Sequence, residues 1–456
     1  MAMKYKKNKN TSVFQQLEEY LQLTSIQNYI PIYNRFFTMN KTNWNSINLE
    51  HSHVIEKLTR DNDIFYSDGN PIFFKFSPLL DPLKYLTGSY DSYDFTLPTP
   101  EHVPHPKLND VNNSSYVDGF FYYLSNQLLQ KNFLHGTAFY GSYLGIKQDF
   151  CYNLYDDVSH LEDSEYFHKN RGGLFELDKA YEFSDSRKYK KELKVSDEPV
   201  ELVLDSLDSF EEESVSRDSY IEDMHAIIKK FPVQLIAMEK CENTLDSLLE
   251  DISPEELTAC LMQVILTLLT YQKVYKFTHN DLHTNNIMYV NTNVEYLYYT
   301  YQNVHYKVPT FGKLYKIIDY GRAIYTFQNN RFVSDSFHEE GDAATQYNME
   351  PYFDCSEPII EANYSFDLCR LSCSILEGVP EEGGIYSVVE EWSLDDNGDS
   401  VMMNEFGNER YPDFELYRMI ARTVHNHTPE AQLKRPIFAA YEIDAVNEPH
   451  MNIDSY

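Results

Sequence analysis

Eight consecutive residues, His279-Asn280-Asp281-Leu282-His283-Thr284-Asn285-Asn286, put a carboxylate, imidazoles and amides within reach of a single loop. The carboxylate of Asp281 can accept or orient the proton of a hydroxyl. The amide of Asn286, five residues on, can turn back to hold a divalent cation beside it. Together these two acts are the core of phosphoryl transfer. Another chemistry competes for the same residues, since His279, Asp281 and His283 alternate and could grip zinc from one face of an extended segment. Zinc sites need a further ligand and an ordered surround, and no partner motif follows downstream.

A second carboxylate arrives on a strand. The apolar run LYKIIDYG, Leu314 to Gly321, reads as a strand ending in Asp319. An aspartate placed there can chelate a metal that bridges nucleotide phosphates, while Gly321 lets the backbone turn away. Upstream, IFYSDGNPIFFKF contains two aromatic, β-branched segments joined by Asp68-Gly69, a strong hairpin signal. Period-two alternation sets Phe74 and Phe76 on one face of the second strand and Lys75 with Phe73 on the other. In isolation, an exposed strand lysine would look the same.

These groups need elements to carry them. Ser253-Pro254-Glu255-Glu256 reads as a helix start, with a serine cap, proline in the first turn and glutamate three residues on. The stripe Leu257, Leu261, Val264, Leu268 and Tyr271 then delivers the chain into His279. A second helix is expected from about Ser115 to Lys131, carrying Asp118, with strands over 137–145 and 231–241. Ser365 to Leu376 has a helical pattern with Asp367 in its first turn, a place the helix dipole favours for an acid in any case. Cys369 and Cys373 on that helix read as core.

In this setting the eight-residue loop resembles the catalytic loop of the protein kinase superfamily, His-x-Asp-x-x-x-x-Asn, with His283 where most members carry lysine. Asp319-Tyr320-Gly321 resembles Asp-Phe-Gly, and Asp367 matches the buried aspartate that braces the catalytic loop. The matches run over roughly residues 55–440 and look like the divergent Ser/Thr kinases of large DNA viruses and haspin-like atypical kinases. The resemblance implies an α+β, bilobal fold: a small β-rich N-lobe with one regulatory helix and a larger, mainly helical C-lobe. It implies ATP and Mg2+ as cofactors, with Lys75 steadying the phosphates and Asn286 and Asp319 holding magnesium. Met238 becomes the gatekeeper, and Glu239, Lys240 and Cys241 pass the adenine. Asp281 orients a serine or threonine hydroxyl of a protein substrate, and His283 points to the transferred phosphate. His279, Asp118, Gly321 and Asp367 are the structural supports. Asp118 replaces the usual glutamate of the regulatory helix and, three residues after Ser115, could equally complete a helix cap.

Departures from the pattern matter. No Gly-x-Gly-x-x-Gly precedes the Lys75 hairpin, and Ala-Pro-Glu is absent. Asn280 replaces the arginine that pairs with an activation-segment phosphate, which implies activity independent of that switch. A small-molecule phosphotransferase often shares the histidine two positions after the aspartate, but lacks the long segment between Asp319 and Asp367. A catalytically inactive pseudokinase, acting as an interaction module, would have no need of two metal ligands.

Composition narrows the partners. With 38 basic against 71 acidic residues the net charge is −33, which repels nucleic acid and attracts basic protein substrates. No apolar run follows Lys4, Lys6, Lys7 and Lys9, so a secretory signal is not expected, and the lysines read as a solvated terminus rather than a nuclear address. The longest apolar stretch, Leu257 to Tyr271, is interrupted and short for a bilayer. No membrane partner is expected; the reading is of a soluble, intracellular, cytoplasmic protein, in a host cell or virion if viral. The cysteines, Cys151, Cys241, Cys260, Cys355, Cys369 and Cys373, lack metal or disulfide spacing. Nothing sets the oligomeric state. The expected domains are a basic and helical extension over 1–44, an N-lobe over 45–240, a C-lobe over 241–445 and a tail over 446–456. An acidic insertion over about 147–230, with Asp156-Asp157 and Glu211-Glu212-Glu213, is expected to be a partly disordered loop or a docking arm.

Overall fold

The structure, a computed structural model, describes residues 5–7, 11–179, 224–378 and 384–456. It is mixed α and β, organised around a curled antiparallel sheet. Glu211-Glu212-Glu213 lies outside the described residues.

Helix α1 (Thr11–Leu21) leads into β1 (Leu23–Gln27). A meander follows: β2 (Leu58–Asp61), β3 (Ile64–Ser67) and β4 (Asn70–Pro78), each paired with the next. Asp68 and Gly69 take φ of 51° and 82°, the consecutive left-handed residues that a two-residue hairpin turn requires. The turn between β2 and β3 is equally tight, with Asn62 at φ 52°. After α2 (Ser114–Leu129), two fifteen-residue strands complete the sheet, β5 (Phe139–Asn153) and β7 (His225–Glu239), with short β6 (Phe175–Leu177) on the flank of β7. The order among the described residues is β1-β5-β7-β4-β3-β2, and every pair is antiparallel.

The sheet reaches past the domain boundaries read from composition. Residues of the expected 1–44 extension are part of it: β1 pairs with β5, and Leu17, Leu21 and Leu23 are buried in the main core. The expected insertion starts inside β5 and ends inside β7, because the aromatic and β-branched runs at Phe150-Cys151-Tyr152 and Ala226-Ile227-Ile228 extend the ladder. At the other end, Met451–Asn452 of the expected tail forms a strand parallel to Tyr296–Tyr301, and Met451 and Ile453 are buried. Apolar residues in these segments find cover only against the rest of the chain.

Helix α2 packs on the sheet through an almost wholly buried surface. Gly119 permits the approach: a Cβ there would stand 2.0 Å from Gln234 Nε2 on β7. Glycine inside a helix costs about 1 kcal/mol relative to alanine, and here that cost is offset by close packing. The N-cap is Asn113, which accepts from the Ser115 N–H. Asp118 is therefore not the acid of a capping box; the helix turns it inward, fully buried, toward β4.

The rest of the chain is built on β8 (Asn243–Thr244) and α3 (Pro254–Tyr275). Ser253 caps α3 by accepting from Glu256 N at 3.2 Å, a bond worth about 1 kcal/mol. α3 is long and apolar enough to cross a membrane, yet 89% of its most apolar window is buried inside the fold. A helix apolar on all sides is a core helix when the fold covers it. β9 (Ile287–Asn291), β10 (Tyr296–Tyr301), β11 (Val304–Pro309) and β12 (Lys313–Ile317) follow, with β9 between β8 and β12. β13 (Ile324–Phe327) and β14 (Asn330–Val333) make a hairpin, and α4 (Phe366–Gly378) and α5 (Glu415–Thr423) close the site from below.

Candidate functional site

Lys75 is where the sheet meets the second half of the chain. Its ammonium sits 2.8 Å from Asp118 Oδ2 and 2.7 Å from Asp319 Oδ1, joining β4, α2 and the segment after β12. Burial would lower the Lys75 pKa, but the two carboxylates outweigh it and hold the ammonium charged. Burial pushes Asp118 up, with Lys75 opposing. Burial acts upward on Asp319 too, but Lys75 overcomes it and holds this carboxyl down to about 2.

The backbone around Asp319 is held by α2. Asp319 N–H donates to the Tyr122 hydroxyl at 2.9 Å and Tyr320 N–H to Asp118 Oδ1 at 2.7 Å. The Tyr320 ring is buried among Phe121, Tyr122, Phe277 and His279. One expectation is corrected here. The left-handed residue is Asp319, at φ 62°, while Gly321 is not in that region and a Cβ on it would meet nothing nearer than 3.4 Å. The aspartate itself makes the turn, a conformation Asp tolerates better than most residues.

The loop at His279 is fixed from two sides. Asp367, fully buried on α4, accepts from the N–H groups of His279 and Asn280 at 2.9 and 2.8 Å. Burial pushes its carboxyl up, opposed by these donors. His279 Nε2 donates to Ile318 O at 2.9 Å and its Nδ1 accepts from Asp281 N at 3.3 Å, so both ring nitrogens are engaged within the loop. The zinc alternative fails on this geometry: the alternating triad does not converge, and among the described residues no three His, Cys, Asp or Glu groups are placed to hold a metal.

Asn286 and Asp319 are neighbours, because β9 and β12 pair and Ile318 N donates to Asn286 O at 3.0 Å. Asn286 Nδ2 donates to Asp281 O at 2.9 Å and to His283 Nε2 at 3.0 Å. A carbonyl can only accept, so Nδ2 is the donor, and His283 Nε2 accepts as a neutral imidazole. Burial lowers the His283 pKa in the same sense. Among the described residues the Asn286 Oδ1 accepts no hydrogen bond. Oxygen donors from two adjacent strand ends suit magnesium, which takes one or two protein ligands and completes its shell with phosphate and water. His283 thus orients Asn286, and the positive charge next to Asp281 comes from elsewhere.

That charge is Arg322, missed in the sequence. Its Nη1 lies 3.4 Å from Asp281 Oδ1 while its Nη2 pairs with Asp342 at 2.7 Å. The Tyr417 hydroxyl on α5 donates to Asp281 Oδ1 at 2.7 Å, and the Tyr417 ring packs under the Arg322 and Arg370 guanidinium groups. Asp281, Arg322, Arg370 and Tyr417, with His283 and Thr284, line an open cavity of about 530 Å³. Arg322 follows Asp319 by three residues, a spacing that brings it near the site without setting its contact with Asp281. Tyr417 lies 136 residues from Asp281 and carries no local signal. The Asn280 side chain is buried and tied by neutral bonds, its Oδ1 accepting from Tyr347 and its Nδ2 donating to Arg322 O.

Across the sheet, Met238 is buried on β7 between Phe73 and Phe139. The Glu239 carboxylate takes Lys316 Nζ at 2.6 Å and Ala138 N at 2.7 Å, a structural use not foreseen. The Glu239 and Lys240 N–H groups donate to Ala138 O and Pro71 O. Among the described residues the Cys241 N–H has no backbone partner, and burial pushes its thiol up to about 12. No protein-family profile matches the chain, and no curated protein matches it significantly.

Proposed function

We propose that the chain transfers the γ-phosphoryl group of ATP to serine or threonine hydroxyls of protein substrates, on a bilobal fold of protein-kinase type. The observation that carries this reading is the convergence on Lys75. A strand lysine held by Asp118 of α2 and by Asp319 at a strand end, beside Asn286, is an arrangement that phosphate and metal chemistry requires and that packing alone does not. Lys75 lies on β4, the third strand of the meander. The tight turns between β2, β3 and β4 leave no long glycine loop there, so nucleotide phosphates would rest mainly on Lys75 and on what Asn286 and Asp319 hold.

Asn286 Oδ1 and Asp319 Oδ2 are the atoms that would hold magnesium, which when bound neutralises phosphate charge as the γ-phosphoryl group leaves. Cys241 N–H is the free donor for an adenine edge. Asp281 receives the acceptor hydroxyl and takes its proton as the new O–P bond forms and the bridging O–P bond to ADP breaks. Tyr417 and Arg322 hold that carboxylate in place. The neutral bonds of Asn280 support a segment set without a phosphate, and the acidic surface favours basic substrates.

Purified protein with labelled ATP and magnesium, offered casein, histone and small alcohols beside Asp281→Asn, tests the proposal. Protein labelling lost in the variant supports it. Turnover on small alcohols alone moves the protein to the small-molecule phosphotransferases. Absence of both transfer and a nucleotide-dependent thermal shift leaves an interaction module.

A further inference from the structure

A cleft of about 490 Å³ opens behind the loop, between the C-terminal end of α3, the β13–β14 hairpin and the start of α4. Acids outnumber bases 71 to 38 in this chain, yet among the described residues no Asp or Glu lines the cleft, while Lys276, Arg331 and His425 do. Lys276 ends α3 at φ 51° and makes no ion pair among the described residues. Arg331 is steadied by Glu361 at 2.9 Å and His425 by Asp396 at 2.6 Å, neither acid being among the lining residues.

A second observation is independent of charge. Among the described residues, two buried polar atoms of the lining residues, Thr278 Oγ1 and Asn363 Nδ2, have no hydrogen-bond partner. The Asn363 amide is oriented by its Oδ1, which accepts from Ser365 N at 2.8 Å, so the unpartnered end is a true donor. Leaving such groups unpaired is costly, and native interiors rarely do it. Donors without acceptors, beside an uncommitted ammonium, suit an oxyanion. The space exceeds a bare ion, and Tyr364 is exposed at its edge.

We propose that this cleft binds a small phosphate monoester, with Lys276 and Arg331 on the phosphate and Thr278 and Asn363 completing its hydrogen bonds. The site stands apart from the transfer reading and does not depend on it.

Calorimetric titration of the full chain with inorganic phosphate, ribose 5-phosphate and O-phosphoserine, at constant ionic strength, tests the inference. Saturable binding is expected, tighter for an ester than for inorganic phosphate, and the tighter ester tells a free metabolite from a modified side chain. Lys276→Gln and Arg331→Gln should each weaken it about tenfold, the effect of one charge-assisted bond. Thr278→Val should also weaken it while raising the melting temperature of the unliganded protein, since it removes an unpaired hydroxyl. Lys276 is exposed, so its replacement keeps the test valid if Arg331→Gln misfolds. The proposal is overturned if no ligand binds saturably, or if Lys276→Gln and Thr278→Val bind as the wild type does, in which case water fills the cleft.

Discussion

Replacing Lys75 with methionine removes the cation that stands between two carboxylates. Breaking a buried ion pair by deleting one partner costs about 3–5 kcal/mol. The Asp319 side chain is 47% exposed and keeps part of its hydration, so its share is discounted and about 2–4 kcal/mol is expected at pH 7. The loss should depend on pH, and its sign follows from Asp118. Burial raises its pKa in the fold and Lys75 opposes that rise; without Lys75 it rises further. A carboxyl with a raised folded-state pKa contributes stability below the unfolded value of about 3.9 that is lost as pH rises through the folded value. The variant should therefore be hurt more at pH 8 than at pH 5, against a ceiling of about 1.4 kcal/mol per pH unit for one proton. Urea denaturation at pH 5, 6, 7 and 8 measures it. Adding Asp118→Asn keeps an acceptor for Tyr320 N–H but no charge, and should flatten the profile. Parallel pH profiles for wild type and Lys75→Met would refute the reasoning.

Other outcomes follow from the same geometry. His135 is fully buried between Tyr315 O and the Tyr299 hydroxyl, and burial lowers its pKa to about 4. Its stabilisation is present above pH 6.5 and lost as pH falls toward 4, about 3 kcal/mol in all; His135→Gln should remove that part of the acid limb in chemical denaturation. Tyr417→Phe deletes the 2.7 Å bond to Asp281 and should lower kcat about tenfold, the low end for a hydrogen bond to a charged group, with the nucleotide KM unchanged. An unchanged or higher kcat would show that Tyr417 does not position Asp281. Thr345 is exposed in the segment between Asp319 and Asp367, so Thr345→Glu should leave turnover within about twofold. Ser334 and Ser336 are buried, and glutamate there would report on folding instead.

What the sequence determined by itself is local. Asp68-Gly69 specifies a hairpin because two left-handed residues are needed in a row, and Ser253-Pro254 starts α3 because cap and first turn are adjacent in the chain. The proximity of Asp281 and Asn286 is legible for the same reason: five residues span one turn of loop. Gly119, by contrast, decides how close α2 comes to β7 and hence that Asp118 reaches Lys75, and nothing local separates that glycine from a weak helix residue. The tertiary structure also decided that Asp319 makes the turn assigned to Gly321, that His283 orients Asn286, and that Arg322 and Tyr417 hold Asp281. Arg322 and Tyr417 reach Asp281 from tens to more than a hundred residues away, where side-chain position is set by packing and not by spacing along the chain.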